Sequence, residues 1–175
     1  IYSEHSIECT IEEVLGKGAT AIVYRVAYGS ARLEPHALKV FKAASSPKDF
    51  AHLGADASLM LTPNYPTSHP NVLSMDFMHL SKKEELFFLL KLIDGSDLGQ
   101  WIKDGHLYDG ENGVVQERVM QITYELAHGI AYMHSKGVLH KDIKPDNILM
   151  TKRDAEGGEA GGRPVLSDFG ISTKG

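Results

Sequence analysis

His140-Lys141-Asp142-Ile143-Lys144-Pro145-Asp146-Asn147, followed downstream by Ser167-Asp168-Phe169-Gly170, places a carboxylate, an ammonium group and two further oxygen donors in one ordered series. The two strings read together as a phosphoryl-transfer site. In that chemistry Asp142 accepts the proton of an attacking hydroxyl and Lys144 neutralises the phosphate being moved. Asn147 and Asp168 offer hard oxygen donors to magnesium on the phosphates. Taken singly, each Asp or Asn is more simply a turn residue. Their ordered occurrence, after a glycine turn and a strand lysine, makes the turn reading a poor account of the set.

Composition sets the outer limits. A chain of 175 residues, 42% apolar and 23% charged, is long enough to bury a real core and too apolar for intrinsic disorder. Its net charge of -5 and the lack of a basic run argue against a nucleic-acid module, which needs clustered Lys and Arg to displace counterions. The single cysteine, Cys9, cannot form an internal bridge, so a reducing, intracellular location, cytoplasmic or nuclear, is expected. The apolar run 86–93 is too short to span a membrane and contains Lys91. No signal-peptide pattern opens the chain. It begins on Ile1 rather than Met and stops soon after Asp168-Phe169-Gly170, so both ends are expected to be cuts, and targeting elements can lie outside them.

Outward from the two strings, the pattern divides. Residues 11–15, 22–28 and 36–41 read as strands, the first two joined by Gly16-Lys17-Gly18-Ala19-Thr20-Ala21. Residues 48–61 carry helical spacing, with Phe50, Leu53, Ala57, Met60 and Leu61 on one side and Pro47 ahead of them. Two more strands are expected over 72–78 and 85–92. Past the turn Asp94-Gly95-Ser96-Asp97 the chain becomes helical, briefly over 98–103 and at length over 115–136. There Val119, Ile122, Leu126, Ile130 and Met133 form an apolar stripe, and Gly137 offers the left-handed position that closes the helix. Glycine and charge dominate 154–164, which reads as a surface excursion between two short strands.

These strings resemble the eukaryotic protein kinases, of the serine/threonine type given Lys144, cut after the Asp-Phe-Gly triplet. The resemblance implies an α+β, protein-kinase-like fold. Residues 1–93 would form a small antiparallel-sheet lobe with one helix, ending in the hinge. Residues 94–175 would form an incomplete, mainly helical second lobe, and ATP with magnesium would lie between the two. Gly16, Lys17, Gly18 and Ala21 are similar to the turn that covers the phosphates, and Ala37-Leu38-Lys39-Val40 to the strand whose lysine, Lys39, binds them. Val23, Ala37 and Leu149 would enclose the adenine. Leu90 would be the gatekeeper, the backbone of Lys91 and Ile93 would bond the adenine, and Asp97 would accept from a ribose hydroxyl. Asp56 stands where the family has the acidic partner of Lys39. The acceptor would be a protein serine or threonine hydroxyl.

Three departures qualify the likeness. Ala21 replaces the third glycine, Asp56 is one methylene shorter than glutamate, and Lys141 replaces an arginine whose planar fork lysine cannot copy. They support the alternative of a pseudokinase or nucleotide-binding scaffold, against which stand Lys39, Asp142, Asn147 and Asp168. Lys144-Pro145-Asp146-Asn147 argues against a small-molecule kinase. His140 reads as a packed structural residue. Without an activation segment and later helices, this chain alone is expected to be inactive on proteins.

Overall fold

The computed structural model describes residues 9–18, 21–28, 35–42, 69–80, 86–110, 113–152, 162–168 and 173–174. The chain divides into two compact units, Ile1–Gly54 with Ser74–Leu92, and Ala55–Leu73 with Ile93–Gly175. The expected helix over 48–61, with Asp56, lies outside the described residues.

In the first unit the β-branched and aromatic runs form an antiparallel sheet of β1 (Cys9–Lys17), β2 (Ala21–Tyr28), β3 (Pro35–Phe41), β4 (Met75–Leu80) and β5 (Leu86–Lys91), in the order β1-β2-β3-β5-β4. Strand β5 is flanked on both edges. That position explains its nearly continuous apolar sequence, with Leu86, Phe88, Leu89 and Leu90 all buried. Phe88 is fully enclosed and meets Phe41 edge-to-face at 4.8 Å. The three strands expected over 11–15, 22–28 and 36–41 fall within β1, β2 and β3.

The strand expected over 72–78 is different. β4 begins only at Met75, because the residues before it pair elsewhere. Val72 bridges Leu166 in parallel, Leu73 N donates to Leu166 O at 2.9 Å, and Leu166 N donates to Asn71 O at 2.9 Å. An apolar run announces burial in a ladder without saying which ladder.

The second unit holds α1 (Leu98–Lys103), α2 (Gln116–Ser135) and the short strands β6 (Val138–Leu139), β7 (Ile148–Met150), β8 (Pro164–Leu166) and β9 (Thr173–Lys174). β7 and β8 form one antiparallel pair, β6 and β9 another. The excursion expected over 154–164 ends before Pro164, which opens β8 at a position a strand tolerates. Helix α2 closes as expected, with Lys136 at its end and Gly137 at φ 73. Its buried face is narrower than the predicted stripe. Ile122 and Met133 are buried, Leu126 and Ile130 half-buried, and Val119 is exposed beside Met120 and Tyr124. Gly129 was not in the stripe, yet a Cβ there would stand 3.0 Å from Asn71 O and 3.2 Å from Leu166 Cδ1. Its lack of a side chain lets α2 press directly on residue 71 and β8. No helix among the described residues is long and apolar enough to cross a membrane.

His69 fastens the same junction from the other side. Its Nδ1 accepts from Asn71 N at 3.1 Å, and its ring stacks on Tyr132 of α2 at 4.8 Å. Burial first, and the His128 ring second, hold His69 below its ordinary value of 6.5. The unfolded chain therefore takes up this proton first. The stabilisation is full above about pH 6.5 and falls as pH drops through that value, levelling off below the folded ring's lower value. His69→Asn keeps an acceptor near Nδ1 and removes the titration. Its denaturant midpoint is expected to fall less than the parent's between about pH 7.5 and about pH 5.5; equal falls would mean that His69 has no share.

Candidate active site

Past β6 the chain makes a tight, hydrogen-bonded loop. Lys141 takes a left-handed φ of 66, which costs a non-glycine residue about 1 kcal/mol and must be held by its surroundings. His140, buried beside it, does the holding. Its Nδ1 accepts from Asp142 N at 3.3 Å, so Nε2 is the nitrogen that donates to Ser167 O at 2.9 Å. Pro145, with φ already fixed, opens a 3-10 turn over Pro145–Asn147, and Asn147 N donates to Lys144 O at 2.9 Å. That turn folds Asn147 back onto Asp142.

Three predicted residues therefore touch directly. Lys144 Nζ and Asn147 Nδ2 each donate to Asp142 Oδ2 at 2.8 Å, and Asn147 Nδ2 also donates to Asp142 O at 2.9 Å. Asn147 is buried, whereas Asp142 and Lys144 keep part of their surface in solvent. The Lys144 ammonium, first, and the Asn147 amide hold the Asp142 carboxyl below its ordinary value of 3.8, against an opposing effect of burial. The same bond to Asp142 raises Lys144 above 10.5. The depressed carboxyl favours the fold above its ordinary value, a contribution lost as pH falls through the lowered one. Lys144→Met is expected to let Asp142 titrate higher, toward 3.8, in carbon-13 carboxyl spectra. An unmoved titration would assign the depression to Asn147 and His140.

Asp168 is tied to this loop through its neighbour. Ser167 N and Ser167 Oγ both donate to Asn147 O, at 2.9 and 3.1 Å, and Ser167 O accepts from His140. Asp168 follows at once, exposed and left-handed with φ 57. Residues 147 and 168 are thus held close through one buried serine. The amide nitrogen of Asn147 is taken by Asp142, which leaves the amide oxygen as that side chain's remaining polar atom. Ser167 was missed by the sequence reading. A hydroxyl residue between the buried Leu166 and an aspartate was its available signal, since a buried hydroxyl needs a partner.

The remaining predicted residues stand in two groups. In the first unit Gly16 pairs with Val23 and Lys17 with Ile22, and Gly18 N donates to Ala21 O at 2.9 Å. Val23 lies opposite Lys39, and buried Ala37 opposite Leu90. Lys39 Nζ stands 5.0 Å from the Phe41 ring centre. Lys91 N donates to Ser74 O at 3.2 Å, so this amide is already committed. In the second unit Ile93 O accepts from Gly95 N at 3.0 Å. Asp97 caps α1, its Oδ1 accepting from Gln100 N at 2.8 Å, and its backbone bridges Leu149.

Residues 9–175 match the model of the protein kinase domain. The chain is 32% identical to the serine/threonine-protein kinase PkaA of Streptomyces coelicolor, covering 93% of this chain and 29% of that protein. It is 29% identical to the calcium/calmodulin-dependent protein kinase type IV of Mus musculus, over 93% of this chain and 30% of the relative. It is 27% identical to a probable myosin light chain kinase of Dictyostelium discoideum, over 93% of this chain and 45% of the relative. The chain thus spans less than half the length of each of these relatives. With residues 9–175 inside the family match, the chain belongs to the protein kinase domain family.

Proposed function

We propose that the protein transfers the γ-phosphate of ATP to serine or threonine hydroxyls of protein substrates. The observation that carries the reading is the double clamp on Asp142. Lys144 and Asn147 both bond Oδ2, which leaves Oδ1 to meet an incoming hydroxyl. Phosphoryl transfer needs little covalent help, so positioning and charge compensation are the main tasks of the side chains. Asp142 orients the hydroxyl and receives its proton as the hydroxyl oxygen bonds the γ-phosphorus and that phosphorus parts from the β-phosphate oxygen, with ADP as leaving group. Lys144, beside that carboxylate, offsets negative charge on the phosphate as it moves. Asn147 and Asp168 would hold magnesium, which when bound neutralises the phosphate oxygens. Lys39 would bind the α- and β-phosphates, and Gly16, Lys17, Gly18 and Ala21 would cover them. Val23, Ala37, Leu90, Ile93 and Leu149 would meet the adenine, and Asp97 the ribose. The serine/threonine preference is supported by Lys144 and by the names of the relatives. A reducing, intracellular setting belongs to the same reading, supported by the single Cys9.

The test is incubation of the full-length protein with γ-labelled ATP, magnesium and a mixed peptide array. Label on serine or threonine is expected. Label confined to small molecules, or ATP binding without transfer, would overturn the assignment.

A further inference from the structure

We propose that Lys42 is a positioning residue for Gly18, setting how that glycine's backbone is presented to the phosphates of a bound nucleotide. The inference rests on the ATP reading above. Lys42 stands one residue past β3, where the β2–β3 ladder ends on the pair Ala21 and Phe41. Its Nζ donates to Gly18 O at 2.7 Å, while Gly18 N donates to Ala21 O at 2.9 Å. Both backbone polar groups of Gly18 are thus occupied, one by its own turn and one by a side chain from the far end of a neighbouring strand.

The need for such a restraint follows from the turn's composition. A Cβ built on Gly16 would find nothing within 4 Å, and one on Gly18 would meet only Ala21 O at 3.6 Å. Gly16 is held in the ladder opposite Val23, but Gly18 lies past the end of β1 and has no side chain to pack, which leaves its backbone in need of another restraint. A charge-assisted bond to the Gly18 carbonyl fixes the plane of the peptide that carries it, because that unit is rigid. A glycine whose backbone is already held loses less freedom when a phosphate arrives. Lys39 has a different place: it lies inside β3, its Nζ 5.0 Å from the Phe41 ring centre, whereas Lys42 lies past the end of that strand and bonds the Gly18 carbonyl.

The test is calorimetric titration of the full-length protein, its Lys42→Met variant and its Lys42→Arg variant with magnesium-ATP and, separately, with adenosine. Lys42→Met is expected to weaken ATP by about three- to tenfold, the range of one hydrogen bond. Adenosine, which has no phosphates, should bind all three proteins alike. Arg, with a similar stem and charge, should keep the parent's ATP affinity. Undiminished ATP binding by Lys42→Met, an equal loss for adenosine, or an Arg variant as weak as the Met variant would overturn the inference. A parent protein that binds no ATP would overturn the ATP reading itself and this inference with it, a result distinct from all of those.

Discussion

Asp142→Asn is expected to lower phosphate transfer by the full-length protein by about 10²–10⁴-fold, the usual worth of a positioned general base, with little change in magnesium-ATP affinity. The geometry makes the isosteric variant the sharper test. Both clamping bonds fall on Oδ2, so the single oxygen of the asparagine side chain would take that place and keep Lys144 and Asn147 where they are. Its amide nitrogen would then occupy the position of Oδ1, where it can donate but not accept. The site would be intact in shape and unable to receive the hydroxyl proton. Asp142→Ala is expected to match the loss. There Asn147 keeps its bond to the Asp142 backbone oxygen at 2.9 Å, so its side chain should stay in place. Initial rates and nucleotide titrations on the three proteins decide the matter. An asparagine variant with more than about a tenth of parental turnover would remove Asp142 from the role of base. A parallel collapse of ATP binding would show that its role is to hold the loop.

How much of this was legible beforehand depended on whether the controlling interaction is local. Lys144-Pro145-Asp146-Asn147 could be read because Pro145 fixes its own φ and the turn closes within four residues. Gly137 could be read for the same reason, and so could β5, whose apolar run reports burial on both faces. Long-range partners could not. Nothing near Ser167 in sequence announces Asn147 as its acceptor, and nothing near Asn71 announces Pro164 and Glu125, to which its side chain donates at 2.9 and 3.1 Å. Val72 shows the limit well. Its apolar neighbourhood marks a buried strand, yet its partner, Leu166, lies far along the chain, at a junction on which Gly129 lets α2 press. His140 fell between these cases: its burial was foreseen, its hydrogen bonds with Asp142 N and Ser167 O were not.

Gly95→Ala is expected to destabilise the second unit by about 3 kcal/mol or more, a large effect for the addition of one methyl group. In the sequence this glycine is only part of a turn, but its surroundings are backbone. A Cβ at Gly95 would collide with the carbonyl of Met150, with the carbonyl carbon of Thr151 3.3 Å away. No flexible side-chain end is there to move aside. Relief requires the segment around Gly95 to draw away from β7, and that segment is laced to it. Met150 N donates to Ser96 O at 2.8 Å, Lys152 N donates to Asp94 O at 3.1 Å, and Asp97 bridges Leu149. Met150 is fully buried, so a parted Met150 N–H would lose its partner without gaining water, at a cost of about 1–3 kcal/mol in itself. Gly16→Ala is the matched control: its new methyl meets nothing, and stability should change by no more than about 0.5 kcal/mol. Denaturant unfolding of the two variants beside the parent separates close packing from a general penalty on replacing glycine. Similar midpoints for Gly95→Ala and the parent would mean that the segment has slack at this position, and that Leu149 and Asp97 are not held together by the hydrogen bonds on either side of Gly95.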